Sequence, residues 1–246
     1  MIVKHHEKGW SIISHYAHGL LSGKIAQKLS KTVRPHDWVD VLTGIIEHDD
    51  HLLNFDEQEY LTENGTPKDF SMEGGTDEEA LEHAKRVYAN AIQKSQLVAL
   101  MVGRHLCFLY GSLADKFKPM NKFLEDIESL RPVQRKLYHL KKSDEDALYD
   151  VMLFCDRLSL ILCQDETPEV GRKLEINKSI KNRTYFIHKN EDNILRVEPW
   201  PFEENDFTLN FEYRLLSSSN FKDNKALQHE LENAQIRIRS LKFRKG

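Results

Sequence analysis

The chain has 246 residues, 40% hydrophobic and 30% charged, with a formal net charge of -4. It is therefore long enough and apolar enough for one large domain with a buried core. The pI near 6.3 leaves no basic stripe, which argues against a nucleic-acid binder that works by neutralising phosphates. No run matches the roughly 20 apolar residues of a bilayer span, and Met1 to Trp10 lacks a signal peptide's apolar core, so the expected location is the cytoplasm with no membrane partner.

In chain order, Met1 to His6 and Trp10 to Ser14 flank Lys8-Gly9 and are predicted to form a hairpin. A helix is expected from about His15 to Leu29, with His18, Leu21, Ile25 and Leu29 on one face. A second helix follows Arg34-Pro35 and runs to about Leu53; Trp38, Val41, Leu42 and Ile45 form its buried stripe, which continues through His48, Asp49 and Leu52. Residues 54 to 75 contain Asn-Gly, Thr-Pro and Gly-Gly and keep no period, so they read as a long loop. With Gly65, Gly74 and Gly75 as hinges, such a loop is suited to act as a lid.

Thr76 and Glu79 have capping-box spacing and open a helix reaching about Lys94. Ser95 caps the next, whose stripe is Val98, Met101, His105 and Phe108. Two shorter helices are expected around Pro132. Ser143 and Asp146 then start a helix to about Cys163, interrupted in its apolar run by Asp156. From Arg183 the pattern turns to strands, "RTYFIHK", "NILRVEPW", "FTLNFEYRLL" and "IRIRSLKF", with a helix at Lys225 to Asn233. Cys107, Cys155 and Cys163 include no Cys-x-x-Cys pair and read as reduced packing residues.

Four helices thus carry titratable groups where apolar ones are expected. His18 or His105 alone would be read as a core imidazole satisfied by a carbonyl. Taken with His48, Asp49 and Asp156, one shared site explains all of them. Buried carboxylates are costly unless compensated, and a mixed set of imidazoles and carboxylates suits a divalent transition metal, here Mn, Fe, Zn, Co or Ni. Without the metal, these groups would repel one another. His5, His6, His15, His36 and His83 read as surface or locally hydrogen-bonded residues.

His18, the His48-Asp49 pair and Asp156 resemble the H…HD…D ligand pattern of the HD-domain superfamily, whose members are mostly metal-dependent phosphohydrolases. More narrowly, "HYAHGLLSGKIA", "HDD", "NGTPKDF", "RHLCFLYG", "CDRLSLILC" and "EPWPF" resemble a bacterial domain-of-unknown-function family, number 3891. The superfamily resemblance implies His18, His48, Asp49 and Asp156 as metal ligands. It also implies a helical core, to which the narrower family adds C-terminal strands; with the order of helices and strands in the sequence, the expectation is an α+β chain with a mainly helical HD-like core, an N-terminal hairpin and C-terminal antiparallel strands. The expected organisation is a single domain over 1–246, with the helical metal-binding core at 15–165 and a β-rich appendage at 183–246.

The expected function is a metal-dependent hydrolase of a small-molecule phosphoester, using hydroxide formed from metal-bound water, with Asp50 or His105 to orient or deprotonate that water. Leu52 stands where the superfamily's nucleotidases often have a catalytic glutamate. A di-iron oxygenase and a non-catalytic metal- or ligand-binding sensor are the other readings. The sequence does not specify the oligomeric state.

Overall fold

The computed structural model describes residues 1–7, 9–35, 37–49, 53, 55, 58–72 and 75–246. Asp50, Leu52 and Gly74, expected from the sequence to be catalytic, stripe and hinge residues, lie outside that set, as do Lys8, His36 and His51.

The chain opens with the expected hairpin, strands β1 (Ile2–His6) and β2 (Gly9–Ile13), with Ile2 opposite Ile13. The Ser14 hydroxyl then accepts from the Ala17 N–H and starts α1 (His15–Lys28). Helix α2 (Trp38–Ile46) ends several residues before the predicted end, and residues 47–49 form a turn.

Of the following loop, the described part is tied down. Phe70 N–H donates to the Met1 carbonyl, and Asp69 accepts from the Val3 N–H. Asn224 meets the backbone of Gln58 and Tyr60.

Helix α3 (Asp77–Lys94) has the Thr76/Glu79 capping box as predicted, and Ser95 caps α4 (Gln96–Ala114). Contrary to expectation, α4 has the length and mean hydropathy, 1.5, of a bilayer span, and half of that window is buried inside the fold. Helix α5 (Lys118–Leu137) runs unbroken through Pro132, so the two predicted pieces are one. Pro132 and Glu128, four residues before it, are both exposed, so water can satisfy the carbonyl that loses its partner.

Helix α6 (Lys142–Cys163) begins earlier than predicted: the Asp144 carboxylate accepts from the Lys141 N–H, and Asp146 instead binds Arg104. The buried Glu145 holds Arg131, at 2.5 Å, and Arg135, joining α5 to α6.

Five strands complete the chain: β3 (Leu174–Ser179), β4 (Arg183–Lys189), β5 (Leu195–Glu198), β6 (Asp206–Leu216) and, after α7 (Asn224–Asn233), β7 (Gln235–Arg244). Strand β3 escaped prediction because a register shift between Glu175 and Asn177 breaks its alternation.

All seven strands form one sheet in the order β1-β2-β6-β7-β5-β4-β3, antiparallel except where β5 meets β7. This corrects the expected mainly helical HD-like core. Phe154, Leu158 and Ile161 of α6 share one core with Ile187, Val197, Phe207 and Phe243 of the strands. The curled mixed sheet is one wall of the principal core. The physical reason lies in β6: Phe207, Leu209 and Phe211 alternate with exposed residues, so one whole face of the strand needs helices to cover it. The hairpin is part of the same sheet, since β2 pairs with β6.

Candidate metal centre

Three elements far apart in sequence deliver the site. His18 lies on the buried face of α1, His48 in the turn after α2, and Asp156 midway along α6. The α1–α2 approach depends on glycine: a Cβ on Gly19 would stand 2.1 Å from the Ile46 carbonyl oxygen, so only hydrogen lets these backbones touch there. The two histidine rings are then 5.3 Å apart between centroids, and both residues are 1% exposed.

Asp156 Oδ1 is 3.2 Å from His18 Nε2 and 3.1 Å from His48 Nε2. One ligand atom from each of the three residues lies within 4.8 Å of the others. The remaining ring nitrogens are engaged. His48 Nδ1 is 2.6 Å from the Ile45 carbonyl, to which it donates, leaving a lone pair on Nε2 when the ring is neutral. His18 Nδ1 is 2.7 Å from the Ser159 hydroxyl, which also lies 2.9 Å from the Asp156 carbonyl. His18 Nε2 is buried and faces Asp156 Oδ1. Two imidazole nitrogens, their rings held from behind, and a carboxylate oxygen form a donor set that fits a divalent transition metal.

The electrostatics show how the charges balance in the protein alone. Burial pulls the His48 imidazolium down, but Asp156 with the help of Asp49 and the Ile45 carbonyl outweighs it, raising the pKa to about 9. Burial would raise Asp156, yet His48 and His18 hold it well below the usual carboxylate range. An imidazolium–carboxylate pair therefore replaces the mutual repulsion expected from the sequence.

Of the other predicted site residues, Asp49 does not join this three-atom cluster. Its Oδ2 is 2.9 Å from His15 Nδ1, and its charge acts on His48 from the side. His105 is buried with its ring 5.0 Å from that of His48 and its Nδ1 3.3 Å from the Tyr149 hydroxyl. Burial and the His48 charge push its pKa down to about 4, so it is a neutral imidazole at pH 7.

Sequence reasoning missed His15 and Tyr149. His15 is 5% exposed and precedes His18 by three residues on α1, a spacing that could have revealed it. His83 is likewise buried and bonds across from α3 to α4, Nδ1 to the Tyr110 hydroxyl at 3.0 Å, rather than locally. Arg104 sits 4.6 Å over the Tyr149 ring but is held by Asp146 at 2.5 Å. The Glu198 to Phe202 segment is packing, with Phe202 against Phe207 and Phe243.

A family model described as "Protein of unknown function (DUF3891)" matches residues 1–218. No curated protein and no solved structure matches the chain. The match bears out the narrower of the two resemblances; the wider one, to the HD-domain superfamily, finds no support in these comparisons or in the sheet-walled core.

Proposed function

We propose that this chain, which belongs to the DUF3891 family, holds a divalent transition metal on His18, His48 and Asp156 and hydrolyses a small-molecule phosphoester there. The observation that carries the reading is the convergence of three donor atoms within 4.8 Å, two of them on buried imidazoles. A metal in that position lowers the pKa of a bound water toward about 7 and polarises a phosphoryl oxygen.

The protein's own groups have separate tasks. The Ile45 carbonyl and the Ser159 hydroxyl hold the two ring orientations. Asp49, steadied by His15, adds negative charge beside the cluster. Neutral His105, beside His48, can orient the attacking water. Because Arg104 is already held by Asp146 and Glu145, the phosphoryl charge would fall mainly on the metal.

The test is elemental analysis of the purified chain together with turnover of a phosphomonoester and phosphodiester panel. About one metal per chain, lost in His18→Ala and His48→Ala together with turnover, is the expected result. A chain that binds none of the five metals on addition would overturn the metal site, and a loaded chain inert on the whole panel would overturn the hydrolase.

A further inference from the structure

Strand β7 pairs with β6 along its whole length, from Leu215 opposite Gln235 to Asp206 opposite Arg244. On its other edge, β5 meets it at a single position, Leu195 beside Phe243. The outer edge from Gln235 to Leu241 therefore meets no strand among the described residues, and its backbone groups are open to a partner. Where β5 and β7 part, a cleft of about 410 Å³ opens, bounded by Lys189, Asp192, Arg239 and Lys242. Ile236 and Ile238 on this edge strand are 55% and 65% exposed, an unusual load of apolar surface for an unguarded edge.

We infer that this wedge binds an acidic peptide segment in extended conformation, which adds to β7 as a further strand. Charge selects the occupant. Strand β7, "QIRIRSLKFR", has four cations and no acid. Asp165 and Asp206 balance Arg239 and Arg244. Arg237 and Lys242, and Lys189 on the opposite lip, have no ion pair among the described residues and outnumber the one acid left beside them, Asp192, so the edge keeps surplus positive charge. A second copy of β7 would set Arg237 and Arg239 against the same residues of its twin, and like charges directly opposite destabilise a pair of strands. An acidic strand meets the same side chains favourably and covers the two isoleucines, the mode by which open edges capture peptides.

The probe is a fluorescein-labelled octapeptide alternating glutamate and valine, titrated with the full chain by fluorescence anisotropy. Saturable binding is expected, weakened at least tenfold by Arg237→Glu combined with Lys242→Glu. Both side chains are exposed, and circular dichroism checks that the variant keeps its fold. The same peptide N-methylated at alternate residues keeps its charge and loses its strand-forming N–H groups; it should bind at least tenfold more weakly. No binding, equal binding of the N-methylated peptide, or equal binding of a lysine–valine octapeptide would each overturn the inference. So would a dimer in light scattering that Ile238→Lys dissolves while the octapeptide fails to bind.

Discussion

The Ser159 hydroxyl stands 2.7 Å from Nδ1 of His18, although 141 residues separate them in sequence. The same oxygen is 2.7 Å from the Ser22 hydroxyl, so a buried pair of serines links α1 to α6 directly behind the His18 imidazole. Such partners fix the tautomer of a ligand histidine and raise its basicity.

Ser159→Ala removes that partner without touching a donor atom. Metal affinity should fall about 10- to 100-fold, and the metal-free protein should lose about 1 to 3 kcal/mol from an unsatisfied buried ring nitrogen. A metal titration followed by calorimetry reads the first, and denaturant unfolding in chelator the second. Unchanged affinity would mean that His18 does not bind the metal through Nε2.

Asp156→Ala should abolish metal binding, and with it the rise in melting temperature that metal gives the wild type. In chelator the variant should also melt below wild type, because it deprives the His48 imidazolium of its carboxylate. Calorimetric scans with and without metal separate the two effects. A variant that still gains stability from metal would remove Asp156 from the ligand set.

Gly19→Ala forces a methyl group onto the Ile46 carbonyl, which is backbone and cannot rotate away. The cost should reach or exceed the roughly 1 to 3 kcal/mol of an overpacked core, and metal affinity should fall because α1 and His18 must shift. Gly23→Ala meets only the Ile46 side chain and should cost less. Unfolding curves of the two variants give the order directly, and equal losses would contradict the contact.

Asp165 accepts from Lys4 at 2.8 Å and Arg239 at 2.5 Å. Burial works to raise its pKa, but these two partners prevail and lower it. A carboxylate whose folded pKa is depressed stabilises the fold above its unfolded pKa, about 3.9, and that contribution disappears as pH falls through the folded value. The advantage of wild type over Asp165→Asn should therefore be constant from pH 7 to about 5 and vanish at lower pH. Partial exposure and solvent screening keep it near 1 kcal/mol. Urea unfolding across that range is the measurement, and an advantage that grows toward low pH would refute the assignment.

Much of this molecule is legible from local pattern, and what is not has identifiable causes. The apolar period of α1 located His18, and the capping box at Thr76 located the start of α3. Asp156 stood out as one acid in an apolar helix. The early end of α2 was hidden because the stripe of Trp38, Val41 and Ile45 runs on in sequence beyond the point where the chain turns at residues 47–49. The orienting role of Ser159 was invisible because it depends on α1 and α6 lying side by side. The largest error, reading the strands as an addition to a helical core, has the same origin: period-2 alternation marks a strand but not which helices its apolar face will cover. The bonds between β2 and β6 leave no trace in either segment.

That pairing has a consequence for how the molecule comes into being. Trp10 of β2 is bonded in register with Leu216 of β6, so the hairpin gains its neighbour across a stretch that holds helices α1 to α6 and strands β3 to β5. Closing so long a loop costs entropy before any contact repays it, and folds dominated by such distant pairings are slow. His18 and Asp156 also meet only when distant helices dock, and until β6 is in place β1 and β2 are an isolated ribbon, a two-stranded unit of marginal stability.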